Sequence, residues 1–288
     1  MDSVDARFGP EKPFGSFAPG PLQASLIALG QRMPDGWAGR RGASFIRSLL
    51  KRISDVPVDA VRLGSRMRLY PRGNASEKRL MVSPQFFDPR ELDLLQRFLT
   101  PDFVFIDIGA NAGAYTLFVA SRTGSGARII AVEPHPGARE RLTCNLALNG
   151  LQWVSVAPVA LGDAPGQIDL HINERNMGST SANAQWEPDM PRRVISVRCE
   201  TLLDLVRSHG LERIDAVKAD VEGLEDRILL PFLEAAPPAL RPRLLIVEDG
   251  RRAWQRDLPG ELMSLGYRAV LSTGGNLAFE RTAQGHVA

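Results

Sequence analysis

Phe103-Val-Phe-Ile-Asp107-Ile-Gly109-Ala-Asn111-Ala-Gly113 reads as a buried strand running into a glycine-bearing turn that opens a helix. Open α/β sheets bind ligands beyond the carboxyl ends of their strands, so this turn is the expected place for a cofactor. A dinucleotide fingerprint needs Gly-x-Gly-x-x-Gly, but the two positions that follow Gly109 in that pattern are Asn111 and Ala114. What remains is Asp-x-Gly-x-x-x-Gly. Gly109 and Gly113 allow close backbone approach, and Asp107 places a carboxylate at the strand end. An acidic, close-fitting turn suits a cationic ligand, such as the ammonium and sulfonium of S-adenosylmethionine, better than a pyrophosphate. Asn111 either positions the amino-acid moiety or simply forms the turn.

Downstream of Pro101, apolar runs alternate with helical spacing, the pattern of parallel βαβ units buried on both faces. Strands are expected at 103–108, 128–132, 153–159, 214–219, 244–247, 267–271 and 277–280, and helices at 114–121, 137–148, 202–208, 224–233 and 253–265. The fold class is therefore α/β. The polar stretch 173–193, with Gly178-Ser-Thr-Ser181 at its middle and Trp186 near its end, is read as a lid or substrate-facing loop.

Each strand end brings candidate chemistry to the same edge. Glu133, twenty residues after Gly113 and followed by Pro134, sits where an acid accepts the ribose hydroxyls of an adenosine-type ligand. After the third strand, Leu161 offers an apolar contact to adenine and Asp163 an acceptor for its amino group, although Gly162-Asp163 also reads as a plain turn. In Lys218-Ala-Asp220-Val-Glu222-Gly-Leu-Glu225 period-two alternation puts Lys218 and Asp220 on one face. Asp220 is the candidate to deprotonate or orient a hydroxyl acceptor. The alternative is that Asp220 or Glu222 caps the next helix. Glu248 lies at the corresponding edge of the fifth strand and could complete an acidic pocket, where carboxylate oxygens would suit Mg²⁺. No metal-ligand spacing supports that option, and no metal ligand is assigned.

The rest of the chain divides into a Pro/Gly-rich, flexible segment 1–21, a basic extension 22–85 and a catalytic domain 86–288. Between Arg32 and Arg79 twelve Lys/Arg face four acids, a local +8 in a chain of net +2. Residues 44–53 have the spacing of an amphipathic helix that either docks on its own domain or rests on a membrane interface. Residues 58–63 and 66–70 read as a hairpin about Gly64-Ser65, and 88–99 as a helix opened by Asp88-Pro89. With 44% hydrophobic and 24% charged residues, the composition is that of a globular protein and excludes disordered and collagenous classes. Two cysteines exclude a disulfide framework. The expected setting is cytoplasmic, with no secretory leader and no apolar run long enough for a membrane span.

Taken together, these blocks resemble the FkbM-type methyltransferase family. The resemblance rests on Phe105-Ile-Asp107-Ile-Gly109-Ala-Asn111-Ala-Gly113-Ala-Tyr115-Thr116, Val132-Glu133-Pro134, Ala160-Leu161-Gly162-Asp163, Val217-Lys218-Ala-Asp220-Val-Glu222-Gly-Leu-Glu225 and Leu245-Ile-Val-Glu248. It implies a class I, Rossmann-like methyltransferase fold: seven mostly parallel strands with helices on both faces, here carrying an N-terminal helical and hairpin extension. It also implies methyl transfer from S-adenosylmethionine, commonly to oxygen, with Asp107, Gly109, Asn111, Gly113 and Glu133 at the cofactor and Asp220 near the methyl group. Ala219 stands where the family more often has Ile or Leu.

The expected function is thus O-methylation of a hydroxyl on a carbohydrate, glycoconjugate or natural product. The expected partner is that small-molecule or glycan acceptor; specific nucleic-acid binding is not expected, and peripheral membrane contact through the basic segment is left open. Two alternatives stand beside this one: a nucleotide-dependent Rossmann oxidoreductase, and a non-catalytic protein that binds anionic partners.

Overall fold

The computed structural model describes residues 8–9, 11–173, 176–180 and 192–282. In chain order the elements are α1 (Pro21–Gln31), α2 (Trp37–Ile53), β1 (Val58–Arg62), β2 (Ser65–Leu69), α3 (Ala75–Val82), α4 (Pro89–Gln96), β3 (Val104–Ile108) and α5 (Ala114–Thr123). They continue with β4 (Arg128–Val132), α6 (Pro136–Ala147), β5 (Ser155–Ala157), β6 (Ala160–Gly162), β7 (Gly166–Asn173), β8 (Arg192–Thr201) and α7 (Leu202–Ser208). The last elements are β9 (Ala216–Ala219), α8 (Glu225–Ala235), β10 (Leu244–Glu248), α9 (Leu258–Ser264), β11 (Tyr267–Ser272) and β12 (Asn276–Arg281).

Seven strands form one sheet in the order β11-β12-β10-β9-β3-β4-β5. β5, β4, β3, β9 and β10 are parallel, and β12 inserts antiparallel between β10 and β11. This is the class I methyltransferase topology. The central strands are buried along their whole length because both faces are covered: β3 (Val-Phe-Ile-Asp-Ile) has no exposed position. One core holds Phe103, Phe105, Ile129 and Ile246 together with Ile46, Leu50, Met67 and Leu80 from the N-terminal extension. The other face packs Ile106, Val217 and Val247 against Ile228, Phe232 and Leu262. The extension is therefore continuous with the sheet's own core. No helix among the described residues is long and apolar enough to cross a membrane.

Several expectations need correction. Stretch 153–159 supplies only the short edge strand β5, and Ala160–Gly162 leaves the main sheet to join β7 and β8 in a separate three-stranded sheet. The polar stretch read as a loop over 173–193 follows β7 and runs into β8, which pair antiparallel, and its residues 174–175 and 181–191 lie outside the described residues. The helix expected at 253–265 shortens to α9, because Asp257 caps it by accepting from Gly260 N. Helices α1 and α3 were not anticipated. α3 is only eight residues long and starts where the Asn74 side chain accepts from Ser76 N and Glu77 N.

The segment read as flexible is held down in its described part. The Arg68 guanidinium, 1% exposed, bonds Asp59 and donates to the carbonyls of Phe8, Gly9, Lys12 and Pro13. Asp59 Oδ2 in turn accepts from Gly15 N and Phe17 N. A Pro/Gly-rich composition marks non-helical backbone, but a buried guanidinium that needs acceptors gives that backbone a fixed place.

Candidate active site

The carboxyl ends of β3, β4, β9 and β10 open onto a cavity of about 360 Å³. Its first wall is the β3–α5 turn. Gly109 (φ +78°) passes so close to the end of β9 that an added Cβ would stand 1.9 Å from the Asp220 carbonyl oxygen. Only glycine fits there, in conformation and in space. Asn111, also left-handed at φ +52°, donates its N–H to Glu133 Oε2 (2.7 Å), and its side-chain oxygen accepts from Asn74 Nδ2 (2.6 Å). The sequence left open whether Asn111 closes on itself as a turn former; its amide bonds a residue of the extension instead.

Asp107 is buried beneath this turn, with Oδ2 accepting from Thr116 N (2.9 Å) and Thr116 Oγ1 (2.6 Å). Burial pushes its carboxyl up to about 6, against the lowering effect of these bonds. Glu133 lies at the end of β4, its oxygens accepting from Asn111 N and His135 N. Each oxygen keeps a further acceptor site. Burial lifts its pKa to about 7 despite the two backbone bonds. His135 is the N-cap of α6, its Nδ1 accepting from Ala138 N.

At the other end of the cavity, the ammonium of Lys218, 1% exposed, donates to Asp220 Oδ2 (3.1 Å). Burial alone would lower the Lys218 pKa, but Asp220, Asp88 and Glu248 outweigh it and the net shift is upward. Carboxylate oxygens of Asp220, Glu222 and Glu248 lie within 4.8 Å of one another. Burial, then the charges of Asp220, Glu222 and Glu225, push Glu248 up to about 10, so it is protonated at neutral pH. Its Oε2 is buried without a hydrogen-bond partner among the described residues. Neither Asp220 nor Glu222 caps α8; Glu225 Oε1 accepts from Val221 N and Gly223 N. Because the Lys218 ammonium already supplies a cation to this cluster, we assign no metal to it.

Of the residues singled out in the sequence, Asp107, Gly109, Asn111, Glu133, Pro134, Leu161 and Asp220 line the cavity. Gly113 does not: it is the left-handed N-cap of α5 and packs against Leu142. Nor does Asp163, whose carboxylate is engaged by the Arg227 guanidinium at 2.9–3.1 Å. Sequence reasoning missed the wall contributed by the extension (Ala75, Ser76, Glu77, Arg79 and Leu80) and Tyr115, whose hydroxyl donates to Asp88 Oδ2 (3.0 Å). No motif signals the residues of the extension, which reach the cavity only through packing, whereas Tyr115 stands in the block that follows Gly113 without its type announcing a role. Asn176 to Gly178 and Thr180, from the arm expected to face the substrate, also line it.

A model of the methyltransferase FkbM domain matches residues 107–269. The AMB antimetabolite synthetase AmbE of Pseudomonas aeruginosa is 32% identical over 186 residues, covering 53% of this chain and 9% of that protein. The 2-O-methyltransferase NoeI of Sinorhizobium fredii is 30% identical over 145 residues, covering 45% of this chain and 57% of that one. The chain thus spans from under a tenth to under three-fifths of these relatives. Among solved structures, the N-terminal domain of human METTL16 aligns over 98% of both chains at 16% identity with a TM-score of 0.43.

Proposed function

The chain belongs to the FkbM methyltransferase family, and from that premise we propose that it transfers a methyl group from S-adenosylmethionine to a hydroxyl of a carbohydrate, glycoconjugate or other natural product. Family membership sets aside the oxidoreductase reading. The observation that carries the proposal is that Glu133 and Asp220 line one cavity, on either side of a turn held open by Gly109.

The residues fit the cofactor. Glu133 keeps acceptor capacity for ribose hydroxyls, Leu161 offers an apolar surface for adenine, and Asp107 sets negative charge beneath the turn. When bound, S-adenosylmethionine supplies an activated methyl on a sulfonium. Proton handling and alignment then fall to this chain. Asp220, held by the Lys218 ammonium, accepts the acceptor's hydroxyl proton or orients that hydroxyl for in-line attack. Glu248, protonated beside it, supplies a donor where Asp220 supplies an acceptor. The 2-O-methyltransferase among the relatives supports oxygen as the methylated atom.

The test is incubation of the purified protein with methyl-labelled S-adenosylmethionine and a panel of glycans and hydroxylated natural products. Label should enter a hydroxyl-bearing acceptor, and Asp220→Asn should abolish the transfer while still binding S-adenosylhomocysteine. Label found only on nitrogen or carbon would overturn the hydroxyl assignment.

A further inference from the structure

The basic extension carries a second surface, away from the cavity chemistry. Of the nine large hydrophobic side chains exposed among the described residues, seven lie between Leu22 and Val61. Trp37 is 74% exposed and Phe45 70%; Leu22 and Leu29, on the adjoining α1, are 60% and 50% exposed. On α2 the buried residues Gly39, Ala43, Ile46 and Leu50 form one stripe. Trp37, Arg41, Phe45, Ser48 and Arg52, spaced by three or four residues, form the opposite one. The helix therefore carries two exposed aromatic side chains, Trp37 and Phe45, among Arg41, Ser48 and Arg52 on the side that its own protein leaves uncovered.

Charge decides what covers the other. α2 contains Arg40, Arg41, Arg47, Lys51 and Arg52 and no acid. None of these five forms a salt bridge among the described residues, and Arg41 lies 5.2 Å over the Trp37 ring. Lys78 on the neighbouring α3 is half-buried, and its pKa is lowered by burial and then by the charges of Lys51 and Arg47. Two copies of this face would set Arg41 and Arg52 of one against those of the other with no acid on α2 to pair them, so self-association is electrostatically opposed, while Arg40, over the Phe86 ring, and Arg47, donating to Ser83, are held by the protein itself. Exposed aliphatic residues beside Trp and Phe exceed what a nucleic-acid backbone or base stack would use. Aromatic and aliphatic side chains fringed by Lys and Arg match the headgroup boundary of an anionic bilayer.

We propose that the α1–α2 face docks this protein peripherally on an anionic membrane surface, with Trp37, Phe45 and Leu22 entering the headgroup boundary and the basic residues of α2 contacting lipid phosphates. The docking is independent of the methyl-transfer reading and is tested without it.

The full chain is sedimented with vesicles of phosphatidylcholine alone or mixed with phosphatidylserine, at low and high salt. Binding should require phosphatidylserine and weaken as salt screens the surface. Arg41→Gln/Arg52→Gln should lower the partition coefficient about 30-fold, near fivefold per cation at an anionic surface. Trp37→Ala/Phe45→Ala should lose retention at unchanged net charge. All four positions are exposed, and unchanged thermal melting shows that each variant folds. Equal retention on both vesicle types, no retention on either, or undiminished binding by both double variants would overturn the proposal. So would a dimer, seen by ultracentrifugation, that Trp37→Ala/Phe45→Ala dissolves, or a salt-dependent complex with RNA in place of vesicle binding.

Discussion

Glu133→Gln tests the cofactor assignment most directly. In the folded protein both carboxylate oxygens already accept a backbone N–H, at 2.7 Å from Asn111 and 2.8 Å from His135. Ribose hydroxyls would take the remaining acceptor sites. Glutamine keeps one acceptor and turns an NH₂ toward a backbone N–H. The variant therefore loses at least one charge-assisted bond to the ligand, a loss of about 1.5–3 kcal/mol, or roughly 10- to 150-fold in affinity.

The pH dependence sharpens the test. Burial raises Glu133 from 4.5 to about 7, so without ligand its contribution to stability is fully present below the unfolded value and is lost as pH rises through about 7. Hydroxyl donors prefer the ionised form, so affinity should rise with pH toward a plateau above 7. At pH 6 the wild type should bind about tenfold more weakly than at pH 8, with proton release on binding. Calorimetric titration with S-adenosylhomocysteine in two buffers of different ionisation enthalpy measures both quantities. The glutamine variant should be weak and nearly pH-independent. A variant that binds like the wild type, or keeps the same pH slope, would refute the role of Glu133.

Three further outcomes are expected. Asp220→Asn should lower kcat by roughly 10²- to 10⁴-fold while S-adenosylhomocysteine affinity stays nearly unchanged, so a parallel loss of both would show that Asp220 shapes the pocket instead. Gly109→Ala must move the Asp220 carbonyl out of a 1.9 Å overlap and hold alanine at φ +78°, which should destabilise the fold by roughly 2–4 kcal/mol in urea unfolding. Wild-type stability in that variant would mean the turn and the β9 end are not in contact. Arg68→Ala removes the partner of buried Asp59 and the donor to four carbonyls, with an expected loss of about 3–5 kcal/mol and faster proteolysis within residues 8–17; unchanged cleavage would contradict the tethering role.

The parallel strands were legible because strands buried on both faces must be apolar throughout, and that signal survives in one dimension. β3, β4, β9 and β10 lie within two residues of where the sequence put them. Asp107, Gly109, Glu133 and Asp220 were legible for a related reason: strand ends and tight turns restrict which residues fit, so chemistry there has a fixed spacing. Short or composite elements were not. α3 depends on a side-chain cap and on packing against β1 and β2. Along β7, Ile168, Leu170 and Ile172 do alternate with polar residues, but that spacing cannot say that β7 pairs with β8 and β8 with Ala160–Gly162, outside the main sheet.

What the sequence determined by itself is the α/β class, the edge onto which the cavity opens and most of the residues on that edge, because these follow from local periodicity and turn chemistry. Tertiary structure alone decided which carboxyls share a cavity and that burial raises the pKa of Asp107, Glu133 and Glu248, because burial and mutual repulsion have no counterpart in spacing. It took Asp163 out of that cavity by pairing it with Arg227, and brought Asn74 to Asn111 across 37 residues. It also determined that one face of α2 is buried while Trp37 and Phe45 are not. Hydrophobic spacing can say that a helix has an apolar side, but only packing says how many of its sides the protein itself covers.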